Sequence, residues 1–133
     1  MTDILLSIHP QHAEAILDGR KTIEVRKVMP VRIWPREKIY LYATSPIKSV
    51  VGEVRLDCFI TYYSDLNFNK NKYILNKACI TEEEFNSYMG SREEVVLWCL
   101  VNPVRFKEPI NLDRFKIKHP PQSFRYLKEV ADE

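Results

Sequence analysis

Apolar and polar residues alternate with a period of two along several stretches of this chain, as strands with one buried face do. The clearest runs from Ser49 to Thr61. Val50, Gly52, Val54, Leu56, Cys58 and Ile60 fall on one side, and Val51, Glu53, Arg55, Asp57, Phe59 and Thr61 on the other. Lys38 to Ala43 repeats the pattern, with Ile39, Leu41 and Ala43 sharing a face. Residues 21 to 27 form another strand, in which Ile23 and Val25 alternate with Thr22, Glu24 and Arg26. Residues 3 to 8 make a short apolar strand. Glu94 to Val101 is nearly continuous in apolar residues, which predicts a strand buried on both faces. Val104 to Phe106 continues it past a bulge at Pro103.

Between these runs the spacing changes. Pro10 suits the first turn of a helix, where its missing N–H costs nothing. Ala13, Ile16 and Leu17 then share a helical face, and Gly19 stops the helix. Thr81 and Glu84 have capping-box spacing, which predicts a helix to about Tyr88, ended by Gly90. Val28 to Glu37 holds Pro30 and Pro35 and reads as a loop; Thr44-Ser45-Pro46 reads as a turn. Residues 62 to 78 are rich in Asn and Lys, with scattered apolar positions consistent with a short helix. Pro120 to Leu127 reads as a rigid lead into a final turn or short helix. No repeat or linker divides residues 1–133. The expectation is one α+β domain: a small mixed, mostly antiparallel barrel of five or six strands with short helices at its periphery.

Composition narrows the function classes. Hydrophobic residues make up 45% and charged residues 29%, as in a soluble globular protein. The apolar runs are far shorter than the ~20 residues a membrane helix needs, so no membrane partner is expected. The N-terminal stretch lacks a basic segment before an apolar one, so a cytoplasmic location is expected. Cys58, Cys79 and Cys99 lie about 20 residues apart. They read as small buried residues, neither a disulfide framework nor a zinc site. His9, His12 and His119 complete no ligand set and read as surface or capping residues. No cofactor is expected; a divalent metal stays open, although nothing in the sequence indicates one. With only three glycines there is no Gly-rich phosphate loop.

The net charge of +2 is unevenly spread. Residues 20–55 hold nine Lys/Arg against three Asp/Glu, a balance of +6; residues 57–99 hold four against seven, a balance of −3. A one-sided positive face suits a polyanion, and Trp34, Tyr40 and Tyr42 interleave with the cations. Lys21, at the start of a strand, has the chemistry of a phosphate anchor or, once desolvated, of a base. Glu24 and Arg26 share a strand face. They read either as a structural ion pair or as a carboxylate and guanidinium turned to a ligand. Tyr42, Lys48 and Ser123 form a second set, in which a lysine beside a hydroxyl is an acid–base or nucleophilic pair. Trp34 and Phe124, flanked by Arg36 and Arg125, read as base-stacking platforms or as core and loop anchors.

Ser7-Ile8-His9-Pro10 followed by Ile16-Leu17-Asp18-Gly19-Arg20-Lys21-Thr22-Ile23-Glu24-Val25-Arg26 resembles the ASCH domain family, a relative of the PUA RNA-binding domains. The Gly-x-Lys-x-x-Glu-x-Arg core is Gly19, Lys21, Glu24 and Arg26. Tyr40 to Pro46, Gly52-Glu53-Val54 and Pro121 to Tyr126 follow in order. Only residues 62 to 93 lie outside the resemblance. It implies a PUA-like pseudo-barrel, a cleft lined by the core motif, and a role in RNA binding or processing. One branch hydrolyses an acetyl amide on modified cytidine with a lysine, a threonine three residues later and a distant glutamate. Lys21 matches that lysine, but Glu24 stands at the threonine position, which argues against the amidohydrolase activity.

The reading that follows is an RNA-binding module whose basic cleft takes single-stranded or modified RNA, or a nucleotide. Lys21, Glu24, Lys48 and Ser123 are its candidate catalytic residues, while Arg26, Lys27, Tyr42, Thr44, Ser45 and Arg125 are its candidate ligand contacts. Two alternatives stay open. One is a hydrolase acting on RNA phosphodiesters or a modified nucleoside amide; the other is a sensor or regulatory partner without nucleic acid. The oligomeric state is not legible.

Overall fold

The computed structural model describes residues 2–33, 35–63 and 68–127. Trp34, a candidate stacking platform, lies outside them. The chain runs β1 (Ile4–Ile8), α1 (Pro10–Leu17), β2 (Ile23–Arg26), β3 (Lys38–Ala43), β4 (Ser49–Tyr63), α2 (Phe68–Ala78), α3 (Glu82–Met89) and β5 (Glu94–Ile110). A 3-10 turn (Leu112–Phe115) and β6 (Phe124–Tyr126) follow. Six strands form one sheet in the order β2-β5-β4-β3-β1-β6. Only β1 and β3 pair in parallel; the other described pairings are antiparallel. The sheet curls into a PUA-like half-barrel. No helix among the described residues is long and apolar enough to cross a membrane.

Alternation explains the packing. Ile4, Leu6 and Ile8 of β1 join Ile39, Leu41 and Ala43 of β3 in the main core, with Val54, Leu56, Trp98 and Ile16 of α1. The opposite faces of β1 and β3 are covered as well. Leu5 and Tyr42 pack with Val50, Leu112 and Ile117 from the turn after β5. A third cluster seats α2 and α3 against β2 and β5 through Ile74, Ala78, Phe85, Met89, Ile23 and Leu97. Phe124 packs edge-on to Trp98 at 5.5 Å, so it belongs to the core rather than to an exposed platform.

The 62–78 stretch forms the helix its scattered apolar positions allow, 11 residues long, with Ile74 and Ala78 among its buried positions. Two other elements differ from expectation. β5 extends through Pro103 to Ile110, because its second half pairs with the first half of β4 across register shifts. The tail forms β6 instead of a turn or helix, since Phe124, Arg125 and Tyr126 find backbone partners in Leu6, Leu5 and Ile4. The three cysteines are free but only half-buried; Cys58 and Cys99 stand opposite each other on β4 and β5.

Gly52 shows how tightly α1 sits on the sheet. A methyl group there would lie 2.6 Å from both Leu17 Cδ2 and the Val104 carbonyl oxygen. That contact fixes the helix against β4, and with it the direction in which its N-terminal turn points.

A cleft built on the Lys21, Glu24 and Arg26 network

α1 ends by wrapping its last carbonyls. Gly19 turns the chain at φ +83°, and the amides of Arg20 and Lys21 both donate to the carbonyl of Ala15. This places Lys21 under the helix rather than in solvent. Its ammonium is buried and donates to the carbonyl of Ala78, at the C-terminal end of α2. A helix C-terminus leaves carbonyls unpaired and slightly negative, so a lysine there completes both geometry and charge. The Asn/Lys-rich stretch therefore supplies the carbonyl that holds Lys21 in place.

Glu24 is the next link. Its Oε1 lies 3.2 Å from Lys21 Nζ and its Oε2 accepts from Arg26 Nε at 2.6 Å. Glu24 and Arg26 share a face of β2, as alternation requires. Burial would raise the Glu24 pKa and is the largest single influence. The adjacent Arg26 and Lys21 charges together outweigh it and hold the carboxyl below its usual value.

Arg26 reaches across the opening of the half-barrel. Its Nη1 donates to Ser123 Oγ at 3.0 Å and its Nη2 to the carbonyl of Ser7 at 3.0 Å. β2 lies at one edge of the sheet, whereas Ser7 and Ser123 belong to the β1–β6 edge, where the Ser7 amide donates to the Ser123 carbonyl. Arg26 is thus a clasp between the two edges, held in place by Glu24.

A cleft of about 360 Å³ opens over this network. Lys21, Glu24, Val25 and Arg26 line it from β2 and the segment before it, and Ser7, Ile8, His9 and His12 from β1 and α1. Thr44, Ile80, Glu84, Tyr88 and Gln122 complete the wall. α1 begins at this cleft with Pro10, no side chain caps it, and no acidic residue stands in its first turn. His12 is half-buried. Desolvation first, and then the Lys21 charge, lower its pKa below the usual 6.5, so its ring is neutral near pH 7. Burial pushes the Tyr88 phenol up. Lys27 lies with Nζ 4.6 Å from the centre of the Tyr88 ring at the rim. Among the described residues no group of three or more His, Cys, Asp or Glu is placed to hold a metal ion.

The candidates from sequence divide. Lys21, Glu24, Arg26 and Thr44 line the cleft, Ser123 joins through Arg26, and Lys27 marks the rim. Tyr42 is packed into the second cluster instead, because β3 is covered on both faces. Lys48 is exposed on a bend at φ +52°, Ser45 is exposed in the preceding turn, and Arg125 points outward from β6. Tyr42, Lys48 and Ser123 therefore do not assemble in this cleft. His9 and His12, expected at the surface or as caps, line it, as do Glu84 and Tyr88, which come from a segment outside the sequence resemblance.

Comparison with known proteins places this geometry in context. A family model described as ASCH domain matches residues 6–110. A protein of Zymomonas mobilis named ASCH domain-containing ribonuclease is 33% identical, over 97% of this chain and 90% of its own length. The crystal structure of ASCH from Zymomonas mobilis superposes with a TM-score of 0.83 at 30% identity, covering 96% of this chain and 89% of that one. A tyrosine-to-phenylalanine variant of that protein gives 0.83 at 29% identity, covering 97% of this chain and 92% of that one.

Proposed function

This chain belongs to the ASCH domain family, and from that premise we propose that it binds single-stranded RNA in the cleft between α1, β2 and α3, with a phosphodiester against Arg26. The observation that carries the reading is the state of the Arg26 guanidinium. It has five N–H donors. Glu24, Ser123 and the Ser7 carbonyl take three, so two remain at the cleft wall.

Other features support an anion there. On the floor Lys21 and Arg26 carry two positive charges against the one of Glu24, and the second carboxylate, Glu84, stands on the wall at the start of α3. In the first turn of α1 Pro10 has no amide N–H and the amides of His12 and Ala13 donate to the His9 carbonyl, so its contribution is the positive end of the helix dipole. The cleft volume is in the usual range for sites that take one small ligand or nucleotide unit. Such a hollow suits an unpaired nucleotide better than a duplex, whose bases are stacked away. A second reading, that bound RNA is also cleaved, is favoured by the name of the 33% identical relative from Zymomonas mobilis.

The test is fluorescence anisotropy with a short single-stranded RNA between about 50 and 200 mM salt. The expected result is weakening on the order of 0.7 log units per log of salt for each phosphate held, with poor competition by duplex RNA. Salt-independent affinity, or equal competition by duplex, contradicts the reading.

A further inference from the structure

We propose that His12 is the proton acceptor of an RNA-cleaving reaction in this cleft, taking the proton from the 2′-hydroxyl beside the phosphate that Arg26 holds. The inference rests on the RNA reading above and gives its cleavage reading a chemical route and the residue that serves it.

Among the other ionisable groups lining the cleft, His9 stands exposed ahead of α1, and the rest are committed elsewhere. Both carboxylate oxygens of Glu24 are in ion pairs, and its lowered pKa makes it a weak base. Lys21 and Arg26 act as donors, toward Ala78, Glu24, Ser7 and Ser123. Glu84 accepts from the Thr81 amide through Oε1 at the start of α3. Tyr88 keeps its proton, since burial raises its pKa. His12 differs from all of these. Neither ring nitrogen hydrogen-bonds to another described residue, the ring lines the cleft, and it sits in the first turn of α1, where the phosphate is expected.

The surroundings of the ring favour the neutral form. Desolvation is the strongest influence, followed by Lys21; Glu24 and Glu84 pull the other way, and His9 adds to the lowering. Arg26 and Tyr88 line the same hollow. A neutral imidazole near pH 7 has a free lone pair, as general base catalysis needs.

The step balances without another reactant. The O2′–H bond breaks and its proton goes to the imidazole, while O2′ bonds to phosphorus. The P–O5′ bond breaks with its electron pair, and O5′ takes a proton from water. The hydroxide so formed takes the imidazolium proton. The products are a 2′,3′-cyclic phosphate and a 5′-hydroxyl.

The experiment uses the full chain, a labelled single-stranded RNA, and the same oligonucleotide methylated at every 2′-oxygen. Wild type is expected to leave 2′,3′-cyclic phosphate ends and to bind the methylated strand without cutting it. His12→Gln is expected to slow single-turnover cleavage at saturating RNA about 100-fold or more. It should also abolish the acid limb expected of the wild-type rate below pH 6.5. His12→Asn should behave alike, with folding of both checked by circular dichroism. Cleavage by His12→Gln within threefold of wild type overturns the proposal. So does cutting of the methylated strand, and so does wild type that binds RNA but leaves it intact. Failure of wild type to bind RNA at all overturns the RNA reading itself.

Discussion

Two hollows flank α1, and they use charge in opposite ways. On one side lies the cleft, where Lys21, Glu24 and Arg26 have side-chain exposures of 2%, 9% and 16%. On the other is a groove of about 290 Å³ with an apolar floor that includes Ala13, Val51 and Phe106. Its rim carries Arg105 paired with Glu14 and Asp18, and these side chains are 43–57% exposed. The residue types are the same, yet the consequences differ. Exposed pairs exchange water for a partner and gain little. Buried charges have lost their water, so each depends on the others. The fold places its unavoidable desolvation where a ligand can use it.

Removing the centre of the buried network should have the largest effect. Glu24→Ala leaves two cations facing one another without water, and urea unfolding should show a loss of about 3–5 kcal/mol. A loss as small as that of an exposed pair would erase the distinction between the two hollows.

Acid should act on the same network. Glu24 and His12 both have lowered pKa values in the folded chain, so each contributes stability that is present above its ordinary value and lost as pH falls. Stability should decline first below pH 6.5, through His12, and then below pH 4.5, through Glu24. Thermal melts across this range should show both phases, and Glu24→Ala should shrink the second, to which the Glu84 carboxyl at the Thr81 cap also contributes.

Gly52→Ala tests the seat of the helix that separates the hollows. Its added methyl meets Leu17 and the Val104 carbonyl, and overpacking of this kind costs roughly 1–3 kcal/mol. The smallest effect belongs to Arg105→Ala. Its urea midpoint should stay at the wild-type value, because solvent replaces both partners.

How much of this was legible depended on where each determinant lies. β3 and the start of β4 were read from alternation alone, and α3 from Thr81 and Glu84, whose capping box is formed. Those signals are local. β6 was missed because its three residues become a strand only through pairing with β1. Alternation separated Tyr42 from Ile39 and Leu41 but could not tell that Leu112 and Ile117 would cover its face. Glu24 and Arg26 were legible because they alternate with Ile23 and Val25, and Lys21 because it stands at the strand start within the Gly-x-Lys-x-x-Glu-x-Arg core. The partnership of Lys21 with Ala78 spans 57 residues and has no local trace. The lining role of His12 likewise depends on a cleft closed by α3 and by Ile80 before it.

The account turns on a phosphodiester meeting Arg26 beside the first turn of α1. The most direct measurement is a crystal structure of the chain with a short 2′-O-methylated single-stranded RNA. A phosphate oxygen within hydrogen-bond reach of an Arg26 Nη atom, with its neighbouring ribose against His12, is the expected result. RNA bound only to outer basic residues such as Lys48 or Arg125, with the cleft vacant, would contradict it.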